Sequence, residues 1–450
     1  MIRPFSLKEL TQATGGRLVG QDQVISRINT DTRQLVPGDL FVALTGPHFD
    51  GHDFVSVADA KGVRACVVSR HCHIASQIVV ADTHLAFGQL GQANRRAFEG
   101  KVIALTGSAG KTTVKEMLAQ MLSTQGQAAK THHNLNNTIG VPMTLLAIEA
   151  SDDFAVVEMG ANAPGEIAFS SIMAEPDVAM LLNASEAHIS GFTDLAGVRK
   201  AKCEIFKGLT AGKGAILNRD DAGYAGWLAV VQKIDCQVTD FSLSNPDAVL
   251  SAGPLVTNEQ GCASCDVYVR NTIVGKLQLQ VPGHHQVMNA LAVLSVAEYL
   301  GLPFADCIGA LNQFTGVPGR VSIKTGLNGS HVYDDTYNAS PASVEAAVDL
   351  LANMEGNRIL VLADMAELGT VSQQHHARLA AYAMKQLPDV RFFGPEYGAA
   401  APEGAVYKNK SDLIDALLTD AKPGTRILIK GAHSMHMEEV VSALTVKEIA

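Results

Sequence analysis

The stretch Val102-Ile103-Ala104-Leu105-Thr106-Gly107-Ser108-Ala109-Gly110-Lys111-Thr112-Thr113-Val114-Lys115-Glu116-Met117 decides how the chain is read. An apolar run suited to a buried strand gives way to two glycines, and a helical pattern follows over 114–122. A strand, a glycine-bearing turn and a helix opening on Lys-Thr-Thr form the context of a phosphate-binding loop. The segment Thr106, Gly107, Ser108, Ala109, Gly110, Lys111, Thr112 and Thr113 is then the candidate nucleotide cradle. Its backbone N–H groups converge on phosphate oxygens, helped by the helix N-terminus. Lys111 would reach the β- and γ-phosphates, and the Thr112 hydroxyl would ligate Mg²⁺. Leu105 departs from the usual loop, which carries glycine there.

Working outward, a helical pattern at 85–98 precedes this run, and apolar runs recur at 154–157, 178–182 and 215–217, separated by helical patterns such as 114–122 and 195–209. Continuous apolar strands alternating with helices predict a parallel sheet covered on both faces. Residues 236–282 alternate apolar and polar side chains and predict an antiparallel appendage. Before this block, short strand-like runs at 39–44 and 65–68 sit among Gly and Pro. After it, strands are expected at 331–334, 358–363, 390–393 and 426–429. The expectation is an α/β protein of three domains: 1–84, 85–314 with the phosphate loop, and a Rossmann-like 315–450.

Apolar residues make up 47% of the 450 residues and charged ones 18%, a balance that argues against extensive disorder. The net charge of −10 argues against a nucleic-acid partner. It leaves room for an anionic small molecule in a locally basic cleft. No apolar run reaches the roughly 18 residues of a membrane span, and Met1-Ile2-Arg3-Pro4-Phe5-Ser6 has no secretory character. A cytoplasmic protein without membrane insertion is expected. Seven scattered cysteines make no disulfide framework, and Cys262-x-x-Cys265 lacks the second pair of a zinc site.

Ligands of doubly wound sheets collect at the carboxyl ends of strands. Glu158 ends the run 154–157, and His188 lies beyond the run 178–182. A carboxylate one strand from the phosphate loop suits a hard cation; alone it reads more often as a solvated strand end. His188 alone reads as a packing residue. The amides of Asn134, Asn136 and Asn137, with Thr138, suit either a capped turn or substrate carbonyls.

Together the loop, the segment Asn134-Leu135-Asn136-Asn137-Thr138-Ile139-Gly140-Val141-Pro142, Glu158-Met159-Gly160 and Ala187-His188 resemble the Mur ligase family, over essentially the whole chain. More particular are Val198-Arg199-Lys200-Ala201-Lys202-Cys203-Glu204-Ile205-Phe206, Asp334-Asp335-Thr336-Tyr337-Asn338-Ala339-Ser340-Pro341, Leu362-Ala363-Asp364-Met365-Ala366-Glu367-Leu368-Gly369 and Lys430-Gly431. These are similar to the branch that adds D-alanyl-D-alanine to a UDP-N-acetylmuramoyl-tripeptide. Asp31-Thr32-Arg33, residues 38–44 and Asp50-Gly51-His52 are similar to the family's uridine-nucleotide-binding region.

The resemblance implies an ATP-dependent amide ligase of peptidoglycan precursor synthesis, working through an acyl phosphate and releasing ADP and phosphate. It implies two Mg²⁺ ions, one with Thr112 and Glu158 and the other near His188. It implies that Lys202 is carbamylated by CO₂, which turns a cation into an oxygen ligand. That reaction needs a neutral amine, favoured by burial; otherwise Lys202 reads as a solvated helix lysine like Lys200. Lys111, Glu158, His188 and Lys202 are the implied catalytic set. Asn289 would contact adenine, Asp335 ribose, and Arg320 phosphate or ribose, unless Arg320 makes an interdomain salt bridge. If so, the site is complete only after the third region closes on the second. Asp31, Thr32, Arg33, Gly51, His52, Asn136, Asn137 and Thr138 would meet the uridine-linked substrate. Glu186, Gln286 and His433 depart from the residues the family more often carries at those positions. A monomer is expected. Competing readings are another Mur ligase adding one amino acid, a folate polyglutamylating ligase, and a nucleotide switch that merely uses the loop. The uridine-type segment argues against the folate reading.

Overall fold

The computed structural model describes residues 1–185, 192, 194–366 and 368–446. The expectations placed on Glu186, His188 and Glu367 therefore lie outside the described residues.

Near the N-terminus, β1 (Arg17–Val19), β2 (Ile28–Asn29), β3 (Leu40–Val42), β4 (Ala65–Val68) and β5 (Gln77–Val79) form one sheet in the order β1-β5-β4-β3-β2. All its pairings are parallel except β1 with β5. The carboxyl ends of β2, β3 and β4 deliver Asp31, Leu44 and Ser69 to one edge. Helix α1 (Thr83–Arg96) follows, started by Asp82, whose carboxylate accepts from the N–H groups of His84 and Leu85. Such a cap stabilises by about 1 kcal/mol.

The central sheet has ten strands. In chain order its elements are β6 (Lys101–Thr106), α2 (Lys111–Leu122), β7 (Ala128–Lys130), α3 (Gly140–Ala147), β8 (Phe154–Glu158), α4 (Glu166–Ala174) and β9 (Val178–Leu181). Then come α5 (Leu195–Cys203), β10 (Gly214–Asn218), α6 (Tyr224–Ile234), β11 (Gln237–Ser242), β12 (Leu250–Ala252), β13 (Val256–Thr257), β14 (Cys262–Val269), β15 (Thr272–Pro282), α7 (His284–Leu300) and α8 (Phe304–Asn312). The strands lie in the order β7-β8-β6-β9-β10-β11-β12-β14-β13, with β15 on β14. The β6 run is apolar throughout because both its faces are covered. Ile103 and Leu105 pack into a layer with α2 and α7, while Val102 and Ala104 pack into one with α3 and α4.

Two local expectations change. Residues 236–282 are not a separate antiparallel piece: β11 and β12 continue the parallel sheet, and only the pairings of β14 with β12, β13 and β15 are antiparallel. The alternation seen in sequence marks the sheet's half-exposed end. The helical pattern 195–209 ends at Cys203 and tightens into a 3₁₀ turn, Glu204–Gly208. Cys262 and Cys265 are core residues of β14 whose thiols burial pushes up to about 11.

The C-terminal sheet comprises β16 (Ser322–Thr325), β17 (His331–Asp335), β18 (Arg358–Ala363), β19 (Asp389–Phe393), β20 (Val406–Tyr407) and β21 (Arg426–Lys430), in the order β16-β17-β21-β18-β19-β20. Only β16 runs antiparallel to its neighbour. The edge strands β16 and β20 are short and polar enough to escape a pattern search. Two junctions tie this body to the central one. One junction is the covalent turn 317–320, followed by Val321 at φ 56°, a left-handed conformation costly for a β-branched residue. The other is the turn before β14. There the Glu259 carbonyl accepts from Arg426 Nη2 at 3.1 Å and the Gln260 carbonyl accepts from the Tyr333 hydroxyl at 3.4 Å. Gly261, at φ 79°, lies so close to Met354 that a Cβ would come within 2.5 Å of its Cε. Among the described residues no helix is long and apolar enough to cross a membrane.

Candidate active site

The parallel register sets Leu105 beside Glu158, so the phosphate loop and the Glu158 carboxylate leave the sheet as neighbours. Thr106 is fully buried and its hydroxyl donates to the Met159 carbonyl at 2.7 Å, which ties the two strand ends together. Beyond it, the Ser108 N–H donates to the Asn183 carbonyl at 3.1 Å and the Ala109 N–H to Asn183 Oδ1 at 2.9 Å. Gly110 turns the chain at φ 83°, where a Cβ would stand 2.7 Å from Asn289 Oδ1. Lys111 then opens α2 and donates from Nζ to the Gly107 carbonyl at 2.8 Å. The first-turn amides of α2 have no intrahelical acceptor and face an anion favourably.

Glu158 is 1% exposed. Its Oε1 accepts from Asn136 Nδ2 at 2.8 Å and from the Thr112 hydroxyl at 3.4 Å. Its Oε2 is buried without a hydrogen-bond partner. A buried carboxylate oxygen without a donor is costly. A hard cation held beside the Thr112 hydroxyl would meet that need, so these residues fit Mg²⁺. Among the described residues no cluster of three His, Cys, Asp or Glu side chains forms a metal site. The side-chain donors are instead one carboxylate and one hydroxyl, with a buried lysine that feels the charge of neighbouring Lys111.

That lysine is Lys202 on α5, 3% exposed. Burial pulls its pKa down to about 7; the Lys111 charge lowers it further, and Glu166 and Glu204 oppose the shift. Glu204 is spent on α4, accepting from the N–H groups of Gly165 and Ala168. Burial also lowers the Lys111 pKa; Glu158 opposes that shift and Arg320 adds to it. Thr112 and Glu158 thus share a hydrogen bond, and the Lys111 charge acts on Lys202 as the Glu158 charge acts on Lys111.

Next to it, a cavity of about 270 Å³ opens between the central and C-terminal bodies. Of the expected nucleotide contacts, Ser108, Ala109, Gly110, Thr113, Asn289, Arg320 and Asp335 line it. Thr106, Gly107, Lys111 and Thr112 stand outside it, on the Glu158 side. Asn289 Nδ2 donates to Gln286 Oε1 at 2.9 Å, so the departure at 286 anchors Asn289. The Arg320 guanidinium lies 4.1 Å from the Tyr337 ring centroid, and its Nε is buried without an acceptor. Among the described residues Arg320 makes no ion pair, so it is held by the ring rather than by a carboxylate. Asp335 Oδ2 accepts from Lys430 Nζ at 2.6 Å, and Lys430 also donates to the Asn338 carbonyl. Burial pushes the Asp335 carboxyl up, and Lys430 opposes it. Sequence reasoning did not single out Asn183 or Tyr337 as site residues, and quoted Lys430 without a role. The strand-end rule that found Glu158 would also have found Asn183 and Lys430, which sit at or just past the ends of β9 and β21.

The expected substrate residues are more dispersed, and none lines this cavity. Asn136 serves Glu158, and its carbonyl accepts from the Gly160 N–H at 2.8 Å. Asn137 Oδ1 accepts from the N–H groups of Ile139 and Gly140, which makes it a turn cap. Thr138 Oγ1 is 2.9 Å from His84 Nε2, and that ring stacks on Phe169. Asp31 pairs with Arg33 at 2.8 Å on the surface, at the exit of β2, with Thr32 between them. Gly51 is buried, and its N–H donates to the Leu44 carbonyl. Both ring nitrogens of His52 are engaged: Nδ1 lies 2.6 Å from Asp50 Oδ1, and Nε2 accepts from the Ser69 N–H at 2.8 Å. Asp50 in turn binds Arg70, which leaves Arg70 and Arg33 as the exposed cations near these strand ends.

Known proteins share this organisation. Three family descriptions match: "Mur ligase family, catalytic domain" over residues 24–97, "Mur ligase middle domain" over 105–297 and "Mur ligase, glutamate ligase domain" over 319–433. The UDP-N-acetylmuramoyl-tripeptide–D-alanyl-D-alanine ligase of Escherichia coli (strain K12) is 40% identical, with 98% of each chain covered. A MurF crystal structure from Acinetobacter baumannii superposes with a TM-score of 0.90 at 34% identity over 98% of both chains. MurF from Thermotoga maritima, solved in complex with ADP, gives 0.83 at 27% identity over 93% of this chain and 96% of that one. With its three large sheets, its phosphate loop beside a buried strand-end carboxylate, and matches along its whole length, the chain belongs to the Mur ligase family.

Proposed function

We propose that the chain is the ATP-dependent ligase that joins D-alanyl-D-alanine to a UDP-N-acetylmuramoyl-tripeptide. The names of its relatives supply the two substrates, and the ADP complex of the Thermotoga maritima protein supports a nucleotide. One observation carries the chemistry: Glu158 accepts from the Thr112 hydroxyl through Oε1 while its Oε2 stays buried without a partner, and the buried Lys202 feels the charge of Lys111 in the same loop.

The tripeptide carboxylate attacks the γ-phosphorus of ATP. The bond to the bridging oxygen of ADP breaks, and an acyl phosphate forms. The neutral amine of the dipeptide then attacks the acyl carbon. The tetrahedral intermediate expels phosphate, the amine loses its proton, and an amide remains. Lys111 and the α2 amides hold the terminal phosphate and offset its charge as it moves. Asn289 and Arg320 orient the nucleotide across the cleft, and Asp335 holds Lys430 at its far wall. Thr112, Glu158 and a carbamylated Lys202 would hold Mg²⁺, which supplies charge stabilisation at the phosphoryl oxygens when bound. Carbamylation needs the unprotonated amine that burial provides at Lys202.

The test is phosphate release with each substrate omitted in turn. The ligase reading expects release only when ATP, the uridine-linked tripeptide and D-alanyl-D-alanine are all present. Release from ATP alone at the full rate would make the chain a nucleotide switch instead.

A further inference from the structure

Away from this centre, a groove of about 480 Å³ runs between the α5–3₁₀ segment and α6. Its floor is apolar: Trp227, Val230 and Ile234 from one side and Phe206 from the other. Its rim is basic, with Arg199, Lys200 and Lys207 among the lining residues. The one acidic lining residue, Glu204, is tied to two α4 amides, and the three cations outnumber it. Arg199 Nε is buried without an acceptor, and among the described residues none of the three cations has an acidic partner within 4 Å. In a chain of net charge −10, such a rim runs against the average. The volume lies within the range of small-molecule sites, and an apolar wall with a few convergent polar groups is their usual make-up.

We propose that this groove is a binding site for an amphipathic aliphatic anion, with the chain along Trp227 and Val230 and the carboxylate at Arg199, Lys200 and Lys207. The occupant is an acyl carboxylate rather than a neutral lipid, because burying the chain alone would leave the Arg199 guanidinium uncompensated. It is small rather than a peptide, because the groove is as short as one three-turn helix. The site lies on the helix that carries Lys202, though Lys202 itself is not among the lining residues. The inference is independent of the ligase reading.

Trp227 is the only tryptophan in the chain and is nearly buried in the groove wall, so its emission reports occupancy directly. The probe is dodecanoate below its micelle concentration, titrated against the full-length protein, with dodecyltrimethylammonium as the charge-reversed control. Two variants separate the apolar and charged parts. Gly226→Phe fills the groove; a Cβ there meets nothing within 4 Å, so the fold tolerates it. Lys200→Glu with Lys207→Glu reverses the rim at two exposed positions. The expected result is saturable dodecanoate binding, abolished by Gly226→Phe and weakened at least tenfold by the double reversal, with no saturation by the cation. Absence of saturation with dodecanoate, equal binding by the cation, or either variant behaving as the unaltered chain overturns the proposal.

Discussion

At the carboxyl end of the central sheet, Glu158 keeps one buried oxygen without a donor, and Lys111 and Lys202 are both held below their ordinary pKa by burial. At the carboxyl end of the C-terminal sheet the carboxylates are met. Asp335 accepts from Lys430, and Asp364 accepts from the N–H groups of Glu396 and Tyr397. The two sheets share their parallel arrangement and strand-end carboxylates, yet among the described residues only the first keeps a buried carboxylate oxygen without a donor. Incompleteness is what a ligand repairs, so the difference separates the reacting side of the cleft from the side that frames it.

Substitutions can break that contrast. Lys111→Ala is expected to lower kcat by about 10³-fold, as loss of a group that stabilises charge in transit does. Its thermal stability should hold, because a partly buried charge is removed; near-normal turnover would remove the central site. Lys202→Ala should cost roughly 10²-fold, the scale of losing a metal-supporting group, and an added short carboxylate should restore part of it. At limiting bicarbonate, activity should fall as pH drops through about 7, because protonation removes the amine that reacts with CO₂. A flat profile would count against carbamylation.

On the framing side the expected effect is on stability. Asp335→Ala leaves Lys430 buried and unpaired and should cost about 3 kcal/mol in denaturant unfolding, while Asp335→Leu with Lys430→Met should cost clearly less. Equal losses would mean the pair is not self-contained. Lys202→Met tests the central side by the same measure. The folded-state pKa of Lys202 lies near 7 and the unfolded value near 10.5. The unfolded chain therefore binds more protons between those values, and the parent gains stability as pH rises through that window. The variant should melt higher than the parent, most clearly below pH 7, with the gap closing towards pH 10.5. The smallest effect is outside both sites: Asp82→Ala should cost about 1 kcal/mol through the lost α1 cap, without changing kcat.

Much of this was legible in the chain because strong periodicity carried it. The runs at 102–105, 154–157 and 358–363 became strands because both faces of each are buried, and a run apolar throughout has few other destinations. Glycines flanking Ser108 and Ala109 announced the loop, and Glu158 followed from its place at a strand end. What stayed hidden depends on contacts between distant segments. Tyr337 under Arg320 has no local signature, and the weak edges β16 and β20 have too few apolar residues to register. The Asn134–Thr138 cluster could be read as cap or contact from sequence. The structure divides it residue by residue, with Asn137 capping the turn and Asn136 serving Glu158.

The turn at Glu259 and Gln260 has a mechanical consequence. Two rigid bodies pinned at a single covalent joint can swing about any axis through it; pinned at two points, they keep only the rotation about the line that connects them. With Arg426 and Tyr333 seated on that turn and the chain crossing at Val321, rotation about the line through those two places disturbs these contacts least. Rotation about that line would alter the cavity between the two bodies, whose lining includes Gly319, Arg320 and Val321.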